Sequence, residues 1–125
     1  MNTNKETPTK PECYTLLCTG RILTLILKKK WFDMIASGEK KEEYREIKDY
    51  WKKRLEDNPS APFVLNMKKF DRVLFKNGYS KNAPTLIVEC LGLDCDYSKP
   101  EWCDGIEDMF YVIKLGKVLY NSTKL

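Results

Sequence analysis

The chain contains no histidine among its 125 residues. Imidazole is the one side chain whose unperturbed titration falls between about pH 5 and 8, so its absence removes Ser-His and Cys-His nucleophile pairs and all histidine-ligated metal centres. Any catalysis must rest on Lys, Glu, Asp, Tyr, Cys, Ser or Thr. Long apolar runs are missing as well. The stretch Phe110-Tyr111-Val112-Ile113 and its neighbours fall far short of the roughly 20 residues a membrane-spanning helix needs. The N-terminal residues from Met1 to Pro11 are polar and lack the apolar centre of a secretory signal. The expectation is therefore a cytoplasmic protein with no membrane partner. Tightly spaced cysteine pairs are also lacking. Cys13, Cys18, Cys90, Cys95 and Cys103 make an odd set, and their gaps of four residues are loose for a zinc cluster. Reduced thiols are expected, with neither a metal nor a cofactor.

What is present reads as one folded unit. With 42% hydrophobic and 32% charged residues, the chain has the composition of a globular domain rather than of a disordered tail. Net charge is +4, unevenly spread. Lys28 to Arg54 holds ten basic and six acidic residues, whereas Glu89 to Asp108 holds seven acidic residues against Lys99 alone. A local basic field suits phosphate-bearing ligands, although two solvated faces of opposite sign explain the same pattern.

Residues 1–20 are polar, with Pro8 and Pro11 and no apolar period, so they read as a flexible leader, and residues 21–125 as the domain. Ile22 to Leu27 is apolar on both parities and suits a strand buried on both faces. Lys29 to Ser37 places Trp31, Met34 and Ile35 on one helical face, with Gly38 where a left-handed C-terminal cap belongs. Lys40 to Ile47 reads as a charged, partly exposed strand. Asp49 opens a second helix running to about Asp57, with Asn58-Pro59 ending it. Arg72 to Lys76 and Thr85 to Leu93 read as a hairpin across Asn77-Gly78. An acidic, turn-rich stretch follows from Asp94 to Asp108, and Met109 to Tyr120 supplies one or two closing strands bent at Gly116. Five or six strands with two short helices predict an α+β fold, a small, partly open β-barrel, with a sandwich as the alternative.

The most informative segment is Gly38-Glu39-Lys40-Lys41-Glu42-Glu43-Tyr44-Arg45. Alternation along a strand puts Glu43 and Arg45 on one face, while Lys40 lies in the preceding turn and is free of that parity. The three charges can therefore converge. A solvated edge strand kept soluble by its charges is the plain alternative.

Gly38, Lys40, Glu43 and Arg45 match the G-x-K-x-x-E-x-R signature of ASCH domains, and the chain resembles that family. The order of elements is similar too: a strand at Ile22 to Leu27, a helix around Trp31 to Ile35, the signature strand, and a closing run from Phe110 to Gly116. The resemblance implies a PUA-like barrel and a cleft beside it that faces RNA, a nucleotide or a modified nucleoside. Lys40, Glu43 and Arg45 would line that cleft. Arg45 offers a planar fork for phosphate or a base edge, Lys40 a compact charge, and Glu43 an acceptor for an amino group. One branch of the family hydrolyses acetylated cytidine, its signature lysine activating a threonine three positions later. Here Glu43 stands at that position, so the expected nucleophile is missing. Another branch includes ribonucleases that use cationic and tyrosyl groups, types supplied here by Lys40, Arg45 and Tyr44 or Tyr79.

Trp31 and Trp51 sit at helical core spacing and read as core residues. Tyr79 and Trp102 fall in predicted loops, where an aromatic ring is placed to stack on a base. Glu89, inside an apolar strand run, reads as solvent-facing. Three functions follow from these readings. The first is a module binding RNA or a nucleotide-like ligand through Lys40, Glu43, Arg45, Tyr79 and Trp102. The second is a hydrolase acting on RNA or an acylated nucleoside, with Lys40 as general acid or base and Glu43, or an acid from Glu101 to Asp108, as its partner. The third is an adaptor whose acidic stretch meets a basic protein.

Overall fold

Alternating apolar residues build one curled five-stranded sheet. The computed structural model describes residues 20–57 and 66–124. Almost all of the expected leader, with Cys13 and Cys18, lies outside them, as does Asn58-Pro59. The elements are β1 (Ile22–Ile26), α1 (Lys29–Ala36), β2 (Glu42–Arg45), α2 (Asp49–Leu55), β3 (Arg72–Lys76), β4 (Thr85–Tyr97) and β5 (Met109–Asn121), with a short 3-10 turn at Pro100–Trp102. The fold is α+β, a partly open barrel with two short helices, as expected.

Spatial order in the sheet is β1-β3-β4-β5-β2. β1 runs parallel to β3, and the other pairs are antiparallel. The two edges, β1 and β2, are thus neighbours in sequence but lie at opposite ends of the sheet, and its curl brings them together. Leu23 and Leu25 of β1, Val73 and Phe75 of β3, Leu86 and Val88 of β4, and Tyr111 and Ile113 of β5 are all buried in one core. Each pair is two residues apart, so the same face of every strand is turned inward. Phe32 and Ile35 of α1 and Leu55 of α2 complete that core.

Several expectations shift in detail. β1 is not buried on both faces: Leu23 and Leu25 are buried while Thr24 is exposed, because one face meets the core and the other borders an open hollow with no layer packed on it. The strand after Thr85 runs on to Tyr97, so Asp94 to Tyr97 pairs with β5 instead of belonging to the turn-rich segment. The hairpin's own register holds these acids in the ladder. α2 stops at Leu55, where Glu56 turns to an extended conformation. Glu89 does not simply face solvent. Its carboxylate accepts from the Lys117 backbone N–H at 2.9 Å, beside the register shifts between β4 and β5. A side chain at Gly116 would meet that carboxylate at 2.7 Å, so the glycine lets the two approach.

Candidate functional site

The end of α1 aims the first charge. Gly38 takes a φ of +87°, a conformation glycine adopts at little cost. Its N–H bonds to the Ile35 carbonyl and that of Lys40 to the Met34 carbonyl. This capped turn reverses the chain and drives the Lys40 side chain inward, where only 1% of it is exposed. β2 then follows in register with β5, with Glu43 opposite Ile113 and Arg45 opposite Tyr111. Glu43 and Arg45 share a face, as strand parity requires.

The three charged side chains meet. Lys40 Nζ donates to Glu43 Oε1 at 2.6 Å and to the Glu42 carbonyl at 2.5 Å. Arg45 Nη2 donates to Glu43 Oε2 at 2.8 Å and, across the opening of the barrel, to the Ile26 carbonyl of β1 at 3.1 Å. Arg45 therefore ties one edge strand to the other, and Glu43 sits between two cations with only 8% of its side chain exposed. Pairing on this scale offsets the cost of burying a carboxylate so deeply. One donor is left over: Arg45 Nε is buried with no hydrogen-bond partner.

Beside this seam lies a cleft of about 440 Å³, lined by Lys28, Trp31, Glu43, Arg45, Trp51 and Phe110 among others. That volume is within the range of small-molecule sites. Trp31 and Trp51 pack against the core only partly and turn their remaining surface to the cleft, which corrects the expectation that both are plain core residues. Helical spacing marks the inward-leaning side of α1 and α2, but at the rim of an open barrel that side borders both the core and the cleft. The rings also meet the charges: Lys40 Nζ lies 5.4 Å from the Trp31 ring, and the Arg45 guanidinium 5.0 Å from the Trp51 ring. The sequence signal for these tryptophans was their position, one on each helix flanking the signature strand.

Tyr44 forms part of the wall. Its hydroxyl donates to Glu42 at 2.7 Å and accepts from the Lys99 backbone N–H at 3.1 Å. Burial, reinforced by the Glu42 carboxylate, pushes its phenol well above the ordinary value near 10. It stays neutral at physiological pH. Cys103 also lines the cleft, and burial raises its thiol above the usual range.

The remaining expected residues are placed differently. Tyr79 is 90% exposed, on the rim of an adjoining groove that Arg45 and Trp51 also line. Trp102 is half-buried under Lys99, 4.9 Å from its ring, and borders a small side pocket shared with Trp31 and Glu43. The structure brings Lys40, Glu43 and Arg45 together and sets Tyr79 and Trp102 at the margins. No acid from Glu101 to Asp108 pairs with Lys40; Asp104 pairs with Lys30 at 2.7 Å. Among the described residues, no group of His, Cys, Asp and Glu is arranged to hold a metal ion, and no helix is long and apolar enough to cross a membrane. Compared with protein-family models, curated proteins and solved structures, the chain matches none.

Proposed function

We propose that the chain binds RNA or a nucleotide-like ligand in the cleft beside the barrel seam, as an ASCH-type, PUA-like domain would. The observation that carries this reading is the floor of the cleft: a buried Glu43 carboxylate clamped between Lys40 and Arg45, with Arg45 Nε unpaired and two indoles in the same walls. A base ring stacks on indole, and its amino or imino N–H groups need a fixed acceptor such as Glu43. The role of Lys40 in this reading is positional. Its two acceptors hold it beneath Glu43, so it orients the carboxylate without touching the ligand.

Tryptophan fluorescence titrated with nucleoside monophosphates tests the reading. Saturable quenching is expected, and Trp51→Ala should weaken binding by about 1 to 3 kcal/mol, the stacking range. Absence of binding by any of the four common nucleotides and by short RNA would overturn it. Hydrolysis is the second reading, favoured by the 2.6 Å contact between Lys40 and a carboxylate that lines the cleft. Proton transfer from Lys40 would have to pass through Glu43. Turnover of labelled RNA or acetylated cytidine, lost in Lys40→Arg, would establish it.

A further inference from the structure

The cleft does not end at the seam. Ile26, Leu27, Lys28, Arg45 and Trp51 line both the cleft and a second hollow, which continues along β1 towards Tyr50, Arg54 and Tyr79. Leu23, Thr24 and Arg54 in turn belong to both that hollow and a third, which reaches Arg21, Lys53 and Lys68. The three form one groove between the open edge of β1 and α2.

Beyond the cleft, which Glu43 and Glu46 line, the groove's charge is of one sign. Arg21, Lys28, Arg45, Lys53, Arg54 and Lys68 line the second and third hollows, and no carboxylate does. Among the described residues, Lys28, Lys53 and Arg54 form no ion pair, while Arg21 pairs with Asp57 at 3.8 Å and Arg45 with Glu43 at 2.8 Å. Aromatic rings alternate with these cations. Arg54 lies 4.4 Å from the Tyr50 ring, Tyr50 meets Trp51 edge-on at 4.9 Å, and Tyr79 projects into solvent on the opposite rim. Unpaired cations interleaved with aromatics match the requirements of single-stranded nucleic acid, whose phosphates need charge and whose bases need flat surfaces. A free nucleotide would use only the first hollow.

We infer that this groove carries the backbone of a single-stranded oligonucleotide whose terminal or splayed base enters the cleft. The inference rests on the proposed function and names its ligand class. From Arg21 to Lys28 an extended chain covers roughly 23 Å, room for a few nucleotides, near the lower end of single-fold sites of about 4 to 16. Each phosphate neutralised contributes a salt slope of about −0.7 on single strands.

The test measures binding of uridine monophosphate and of 5′-labelled U8, as RNA and as DNA, to the full chain and to the double variant Lys53→Gln/Arg54→Gln. Both changes are on the exposed surface of α2 and leave the core untouched. U8 should bind at least tenfold more tightly than the mononucleotide. The double variant should lose most of that gain, lower the salt slope by about 1.4, and bind the mononucleotide as before. Equal affinity for U8 and uridine monophosphate would overturn the groove while leaving the cleft reading intact. So would a double variant that binds U8 normally, or polyglutamate competing as well as U8, which would make the groove a site for acidic peptide. Binding of U8 that depends on Lys53 and Arg54, with none of the mononucleotide, would support the groove and remove the cleft. No binding of either ligand would overturn both.

Discussion

Lys29 and Asp33, one turn apart on α1, and Lys40 and Glu43, where α1 runs into β2, form ion pairs of the same length, 2.6 Å. The first pair is open to water, with side chains 77% and 56% exposed, and the second is almost fully buried. Distance alone therefore says little about either. In water the attraction between the exposed pair is screened and offset by the entropy of holding two long side chains. At the seam both ions have lost their hydration, and their mutual attraction and hydrogen bond offset that loss. The comparison teaches where charge in this chain is a surface property and where it is built into a site. The seam differs from most of the interior as well, since elsewhere β1, β3, β4 and β5 meet mainly through Leu, Val, Phe and Ile side chains, with Tyr111 among them.

Breaking the buried pair should have the largest effect. Glu43→Ala strands Lys40 beneath the cleft and releases one anchor of Arg45, so unfolding free energy in urea should fall by about 3 to 5 kcal/mol. A smaller loss is expected at the other buried carboxylate. Tyr111 donates to Glu56 at 2.6 Å, and Tyr111→Phe leaves that acceptor unpaired, costing about 1 to 3 kcal/mol by the same measurement. The two tyrosines also give a pH signature. Burial, and then the Glu42 or Glu56 carboxylate, raises Tyr44 and Tyr111 above the ordinary phenol value. The folded state thus holds these protons more tightly than the unfolded chain. Their stabilising contribution is complete below about pH 10 and declines as pH rises beyond it. Absorbance at 295 nm should show Tyr44 and Tyr111 resisting ionisation until the protein unfolds, and Tyr111→Phe should remove one phenol from the resistant set. The smallest effect belongs to the exposed pair: Asp33→Ala should change stability by no more than about 0.5 kcal/mol. A loss there as large as for Glu43→Ala would erase the distinction on which the site rests.

Much of this was legible in the sequence for local reasons. Strand parity put Glu43 and Arg45 on one face, and the glycine at position 38 marked the turn that delivers Lys40. The apolar runs of β3, β4 and β5, set off by Asn77-Gly78 and by the acidic stretch, announced the sheet. What local pattern does not contain is which edges meet. The parallel pairing of β1 with β3, the bond from Arg45 to the Ile26 carbonyl and the placement of Trp31 and Trp51 at the cleft all depend on the curl of the whole sheet. Helical spacing reports that a tryptophan leans inward, and an open barrel has two insides. The acids from Asp94 to Tyr97 misled for a related reason. Composition suggested a turn, but pairing with Met109 to Val112 overrode it.

The central claim is that Lys40 and Glu43 are buried to shape a binding site and not to hold the fold together. Its most direct test is the triple variant Lys40→Met/Glu43→Leu/Arg45→Met, which removes all three charges of the seam together, followed by urea unfolding and by nucleotide titration on the same preparation. Replacing a buried ion pair by apolar groups of similar size is often neutral or stabilising by about 1 to 4 kcal/mol. The account predicts a ligand-free stability equal to or above that of the natural chain, with nucleotide binding lost. A triple variant as unstable as Glu43→Ala, yet still binding nucleotide, would contradict it.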